Sequence, residues 1–402
     1  MIKMRKLLML ITCLMLLVSV SATAEEQVFE SGEDWFGEDF HYDITRVEEN
    51  WDLLMKPITV LDIPQNEYYW PRKTPDGEKV LTDKLGGTIN GSTAAVHVLG
   101  EDENGWTLIE GLDYHDRKFQ GYVPTNMLKT VTPNPNFGII VDKLDQTLYM
   151  FVDGKLFSSV PVSTGLVNDE QPYNETAAGE YLIASWVGGF DSEGMICDKA
   201  IRFNGGDLFH AVPYVKRADG TKSYRRYEAQ LGRKASHGCI RVDYKASKEG
   251  LNQDWLWENL KRNTKVLVWD DDGRKLPYPD DDMKVYYNKT GGKNFHGDEY
   301  CRVVRDKYLP LSSFTYAELD TGIYADLTPC SSCAPPLRKA EIDEINFERG
   351  VISSEELAHS QETQIEANRS IEADNADEQT ETQDDEQSGE DSGLPEVVIT
   401  IH

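Results

Sequence analysis

Ser236-His237-Gly238-Cys239-Ile240-Arg241 sets one thiol directly beside a histidine and a glycine. A thiol attacks as its thiolate, and a neighbouring imidazole generates thiolate near neutral pH. Glycine before the cysteine lets the backbone approach a substrate closely, with the N–H groups of Gly238 and Cys239 as natural donors to a developing oxyanion. His237 and Arg241 each lie two residues from Cys239, so in an extended segment all three share a face. Arg241 could then hold a substrate carboxylate through a two-pronged contact. The Ser236 hydroxyl is read either as a substrate contact or as a local brace for the turn. The chemistry this stretch suits is attack by a reactive thiol.

A second group of reactive residues lies further on. His296-x4-Cys301 and Cys330-x2-Cys333 bring one histidine and three cysteines into a short, turn-rich stretch. That composition, with a Cys-x-x-Cys knuckle, recurs in closed structural zinc sites. The surrounding residues, Tyr286-Tyr287-Asn288 through Gly291-Gly292-Lys293 and Leu327-Thr328-Pro329-Cys330, resemble small metal-binding modules appended to other bacterial proteins. A Cys330–Cys333 or Cys301–Cys330 disulfide is the alternative that an oxidising exterior would favour. Cys197 has no partner in the sequence and is read as a buried small hydrophobe.

The chain begins Met1-Ile2-Lys3-Met4-Arg5-Lys6, runs apolar from Leu7 to Val20 and then reads Ser21-Ala22-Thr23-Ala24. A basic start, a short apolar core and an Ala-x-Ala end describe a secretory signal cleaved after Ala24. The apolar run is shorter than the roughly 20 residues a bilayer span needs. Cys13 follows Thr12 rather than a small Gly or Ala, which argues against a lipid anchor there. After cleavage no remaining segment is apolar enough to span a membrane, so a secreted, wall-associated protein is expected. Five cysteines remain, an odd number that leaves at least one free thiol or a metal-bound set; Cys239 is the expected free thiol.

The formal net charge of −29 excludes nucleic acid as an expected partner. About half of it is local: from Glu355 to Glu396 there are 15 acidic side chains and a single basic one, Arg369. Residues 337–402 begin with helical spacing and degrade into Glu, Gln, Asp, Ser and Thr, a composition expected to be disordered past about residue 365.

The elements that must position the thiol are mostly strands. Residues 25–56 are acidic and aromatic without clean periodicity and read as a leader or linker. Over 57–131, Ile58–Leu61, Ala94–Leu99, Trp106–Glu110 and Gly121–Pro124 are short β-type runs separated by turn residues, which predicts a small antiparallel barrel. Gly105-Trp106 and then Gly121-Tyr122-Val123 resemble the strands of bacterial SH3-type domains, which implies a module that binds wall peptide or simply spaces the catalytic block from the wall. A linker, Thr132-Pro133-Asn134-Pro135-Asn136, precedes a second β-rich block. Its predicted strands are Ile139–Asp142, Thr147–Val152 and Leu156–Ser163, with Asp153-Gly154 as a hairpin turn. A helix is predicted near Ala246–Arg262, with Leu251, Trp255, Leu256 and Leu260 at helical spacing, and Lys265–Trp269 closes the block as a strand.

The block at 136–270 resembles the L,D-transpeptidase catalytic domain, the cysteine enzymes that rebuild bacterial peptidoglycan cross-links. Asp145-Gln146-Thr147-Leu148-Tyr149 through Asp153-Gly154-Lys155, with Val162-Ser163-Thr164-Gly165, is similar to that family's opening hairpin and Ser-Thr-Gly turn. Leu208-Phe209-His210-Ala211-Val212-Pro213-Tyr214 is similar to the strand bearing its upstream histidine, and Ser236–Arg241 to its nucleophile motif. Thr176-Ala177-Ala178-Gly179 departs from the family's usual Thr-Pro-x-Gly and is read as a loop variation. The long stretch from Val215 to Ala235 carries seven basic residues and reads either as a solvated loop or as a lid that attracts carboxylates.

The resemblance implies a mainly β fold: an SH3-like barrel, a β-sandwich-like catalytic domain with one or two helices, a Cys/His module at 280–336 and an acidic tail. It implies that Cys239 forms a thioester with a peptidoglycan stem peptide, and that His210 serves as base in preference to His237. Ser236, Arg241 and Tyr214 would contact substrate, and carbapenems would acylate Cys239. Catalysis would need no cofactor, leaving a structural zinc at His296, Cys301, Cys330 and Cys333 as the one candidate. Water as acceptor would make the same site a carboxypeptidase. A non-catalytic wall-binding protein and a cysteine peptidase acting on proteins are the other readings. Oligomeric state is open.

Overall fold

The computed structural model describes residues 35–369, apart from 37–39, 66, 81–86, 102–103, 114–116, 169, 193, 302, 331–332, 334 and 367–368. The expected signal at 1–24, the first part of the leader and residues 370–402 of the acidic tail, where disorder is expected, lie outside the described residues.

The described part of the leader is not a bare linker. It folds into helix α1 (Val47–Met55), with Glu48 and Glu49 at the positive end of its dipole. Seven strands come next: β1 (Ile58–Leu61), β2 (Tyr68–Tyr69), β3 (Ile89–Asn90), β4 (Ala95–Glu101), β5 (Trp106–Leu112), β6 (Lys118–Pro124) and β7 (Leu128–Val131). Five of them form one sheet in the order β6-β5-β4-β1-β7, all pairs antiparallel. β5 alternates strictly between buried and half-buried positions, the mark of a sheet with one covered face.

The second block holds β8 (Phe137–Asp142), β9 (Thr147–Val152), β10 (Lys155–Ser163), β11 (Gly179–Leu182), β12 (Ser185–Ser192), β13 (Met195–Asn204), β14 (Asp207–Ala211), the short pair β15 (Val215–Lys216) and β16 (Lys222–Ser223), one-turn helix α2 (Arg225–Glu228), β17 (Ile240–Val242), helix α3 (Gln253–Asn259) and β18 (Lys265–Trp269). Nine of these strands make one sheet, β11-β18-β8-β9-β10-β17-β14-β13-β12. The β18–β8 and β14–β17 pairs are parallel and the rest antiparallel. The helix expected over Ala246–Arg262 is confined to α3, capped by the Asn252 side chain on the Trp255 amide, because Ser247, Gly250 and Leu251 form a turn ahead of it.

β18 is buried at every position and β8 at all but the first, because both faces are covered. Ile139, Val141, Val266 and Val268 face a core shared with Phe209, Ile240, Val242 and α3. Ile140, Leu267 and Trp269 face Leu54 of α1 and the aromatic residues Phe36, Phe40 and Tyr42. A side chain on Gly138 would meet the Leu54 methyls at 2.7 Å, so glycine there lets the helix lie against the sheet. Beyond β18, β19 (Lys284–Tyr287), β20 (Asn294–His296), β21 (Ser312–Thr315) and β22 (Thr328–Pro329) form a small sheet in the order β21-β19-β20-β22, with helix α4 (Lys339–Glu348) after it.

Candidate active site

β14 and β17 lie side by side in parallel, with Phe209 opposite Ile240 and His210 opposite Arg241. Side chains alternate along strands, so Phe209, Ile240 and Val242 enter the core while the paired His210 and Arg241 share the other face, with Cys239 at the bend directly ahead of β17. His210 is 3% exposed. Its Nδ1 lies 2.8 Å from the Ala211 carbonyl oxygen. A carbonyl only accepts, so Nδ1 carries the proton and Nε2 keeps its lone pair as the basic nitrogen. The Phe190 ring stands edge-on to the imidazole at 5.6 Å.

Burial pushes His210 down to about 4, with the nearby Arg241 charge acting in the same direction. Burial pushes the Cys239 thiol up to about 12, reinforced by the Asp207 carboxylate and opposed by the Leu208 amide. Both groups therefore rest neutral at pH 7 rather than as an ion pair.

The turn carrying the thiol is tightly braced. Ser236 Oγ donates to the Cys239 carbonyl at 2.5 Å and accepts from the Gly238 amide at 3.2 Å. That amide is thus engaged by the serine in this structure, and Ser236 is a brace. Gly238 has φ +113°, and an added Cβ would come within 2.6 Å of Asp207 Oδ1, so only glycine suits the position. The same φ breaks the extended geometry that would have put His237 on the Cys239 face. His237 is instead exposed and, with Arg241, lines a polar cavity of about 410 Å³ that also involves Arg226, Tyr227, Gln230 and Gln171. Arg241 is buried, donates to Gln230 Oε1 at 2.6 Å and stacks over Tyr227. Tyr214 does not line that cavity. It is buried against Tyr224, with the Lys222 ammonium 4.2 Å from its ring, and so anchors the basic loop.

Two contributors went unread in the sequence. Thr176 is fully buried; its hydroxyl donates to the Gly238 carbonyl at 2.7 Å and accepts from the Gly165 amide at 2.8 Å. It ties the Ser-Thr-Gly turn to the turn carrying Cys239, and its place in the Thr-Ala-Ala-Gly stretch was the available signal. Gln230 holds Arg241 by its side chain and Ser163 Oγ by its carbonyl. Nothing in its sequence context announces this.

The second cluster is also assembled. The side-chain ligand atoms of His296, Cys301, Cys330 and Cys333 all lie within 4.8 Å of one another, and no disulfide joins the three cysteines. Cys197 is buried at 2% exposure and burial raises its thiol, as suits a small core residue.

Residues 136–268 match the family model YkuD, the L,D-transpeptidase catalytic domain. The segment runs from the start of β8 almost to the end of β18 and includes Cys239, His210 and His237. The chain is 30% identical over 137 residues to the Bacillus subtilis (strain 168) protein named "Putative L,D-transpeptidase YciB", an overlap of 32% of this chain and 64% of that protein. It thus spans less than two thirds of that relative. Among solved structures, an L,D-transpeptidase from Mycobacterium tuberculosis H37Rv aligns at 20% identity and a TM-score of 0.26, over 40% of this chain and 66% of that one. An L,D-transpeptidase from Mycobacterium smegmatis aligns at 14% identity and a TM-score of 0.26, over 54% and 92%.

Proposed function

We propose that the chain is a peptidoglycan L,D-transpeptidase that works through a Cys239 thioester. The observation that carries this reading is the parallel β14–β17 pair, in which His210 stands opposite Arg241, two residues from Cys239, with Arg241 and His237 lining a polar cavity. The stem peptide binds with its carboxylates toward the guanidinium groups of that cavity. The Cys239 proton passes to His210 Nε2 as sulfur attacks the carbonyl of the third stem residue. The Cys239 amide is the oxyanion donor we assign, given that the Gly238 amide serves Ser236. The C–N bond to the terminal D-alanine then breaks, and the imidazolium returns the proton to the departing amine. A side-chain amine of a second stem attacks the thioester, loses its proton to His210 and leaves a three-to-three cross-link with the thiol regenerated. Water in the amine's place gives the carboxypeptidase reaction at the same site.

Neither step calls for a cofactor, so a metal at the Cys/His cluster would be structural. The first 24 residues would export the chain to the wall, and the β1–β7 sheet would bind wall peptide or space the enzyme from it. Tetrapeptide muropeptides and a carbapenem, with mass analysis of products and protein, test the assignment. Cross-linked product with release of D-alanine, and a covalent carbapenem adduct, are expected in the wild type and absent in Cys239→Ala. Unchanged turnover in that variant would falsify the thioester; hydrolysed product alone would mark a carboxypeptidase, and neither product nor adduct a non-catalytic wall-binding protein.

A further inference from the structure

We infer that His296, Cys301, Cys330 and Cys333 hold one zinc ion as a closed structural centre, separate from the proposed acyl transfer. Cys301 Sγ and Cys330 Sγ are 3.9 Å apart, and Cys333 Sγ lies 3.5 Å from His296 Nδ1. Zinc bonds of about 2.3 Å to sulfur and 2.0–2.1 Å to nitrogen give tetrahedral edges of about 3.8 Å between sulfurs and 3.6 Å between sulfur and nitrogen. A disulfide needs its sulfurs at about 2.05 Å. The observed spacing is that of ligands around a shared centre, not of a bonded pair. His296, Cys301 and Cys330 are buried and Cys333 half-buried, with no fifth His, Cys, Asp or Glu ligand in the cluster among the described residues. Four protein ligands close the coordination sphere, which is the structural rather than the catalytic arrangement. The Gly297 amide donates to Cys333 Sγ at 3.4 Å, as outer-shell amides do to metal-bound thiolates.

The surrounding fold needs such a staple. β20 and β22 have three and two residues, and the apolar cluster beside them holds five buried side chains. A sheet of that size falls short of stabilising itself by burial alone. The four ligands come from the end of β20, the loop after it, the end of β22 and the turn beyond, so one ion joins these separate segments of the unit. Binding converts three thiols to thiolates and releases three protons to solvent, leaving a net charge of −1 on the centre. Cys333 and Asp298 also wall a cleft of about 310 Å³ whose other side is Ser159 and Pro161 of β10 and Leu231. The ion therefore fixes the face that the module turns toward the transpeptidase-like unit.

The full chain, purified under reducing conditions without added metal, is expected to carry one zinc by elemental analysis. Replacing the zinc with cobalt should produce the thiolate-to-cobalt absorption of a tetrahedral site. His296→Cys should keep one metal per chain and strengthen that band by about a third, from three thiolates to four. Cys301→Ser/Cys330→Ser should lower the zinc content at least tenfold, while Cys239→Ala leaves it at one. Chelation should open 280–336 to protease and leave 136–268 protected. A metal-free chain lighter by two hydrogens, indicating a disulfide, would overturn the assignment. So would equal protease protection with and without metal.

Discussion

At the residue scale, His210 and Cys239 show how burial sets chemistry. A low-dielectric site disfavours both the imidazolium and the thiolate, so both groups rest neutral, and in the proposed reaction the thiolate forms only as the proton moves to Nε2. With His210 held down to about 4, the base stays competent well below the ordinary histidine value. The acid limb of kcat/KM is expected below pH 5; a limb near 6.5, the free-histidine value, would remove His210 as the base. His210→Gln should cost roughly 100-fold or more in kcat/KM, the range of a general base. The same shift bears on stability. Between pH 4 and 6.5 the unfolded chain binds the proton that native His210 refuses, so stability rises with pH across that window, by about 3 kcal/mol for this group. Denaturant midpoints that fall between pH 6.5 and 4, and fall less in His210→Gln, would show it. The proposed nucleophile was legible from its neighbours, but the basic nitrogen of His210 was not: the Ala211 carbonyl chooses it, and only the fold brings that carbonyl to Nδ1.

At the element scale, the turn carrying Cys239 is held by hydrogen bonds that cross between segments far apart in the chain. Thr176 is the clearest. Thr176→Val keeps the shape and removes the hydroxyl, leaving the Gly238 carbonyl and the Gly165 amide buried without it. Each orphaned group costs about 1–3 kcal/mol. We expect a loss of stability in that range or above, read by denaturation, together with a kcat loss larger than any change in KM as Cys239 shifts. Stability intact with kcat intact would remove Thr176 from the brace. Strands with strong apolar character, β1, β8, β9, β10 and β18, could be read from the sequence with near-correct ends. The β12–β13 hairpin could not. β12 reads Ser-Trp-Val-Gly-Gly-Phe-Asp-Ser, with glycines that weaken any strand pattern, and it forms because β13 offers a long partner through two register shifts.

At the scale of the whole molecule, buried charges join the blocks. Lys265 in β18 is 0% exposed, pairs with Glu180 at 2.5 Å and donates to the carbonyls of Leu53 and Lys56 at the end of α1, at 2.7 and 3.1 Å. Glu180 in turn lies 3.8 Å from His97 of β4. One ammonium thus caps a helix and ties it to the large sheet, with the smaller sheet reached through its partner carboxylate. Lys265→Met strands a buried carboxylate and should destabilise the chain by about 3–5 kcal/mol, partly recovered in Lys265→Met/Glu180→Gln; no recovery in the double variant would place the cost in packing instead. The reading of 25–56 as a linker missed this arrangement because α1 carries its apolar residues for a partner surface that exists only once β8 and β18 are formed. By itself the sequence determined what is encoded by neighbours: the thiol beside histidine and glycine, the apolar strands, the Cys/His spacing. Tertiary structure alone decided what depends on groups distant in the chain meeting at low dielectric. It paired His210 with Arg241 two residues from Cys239, turned Ser236 and Thr176 into braces, set Tyr214 against the basic loop and brought His296, Cys301, Cys330 and Cys333 together.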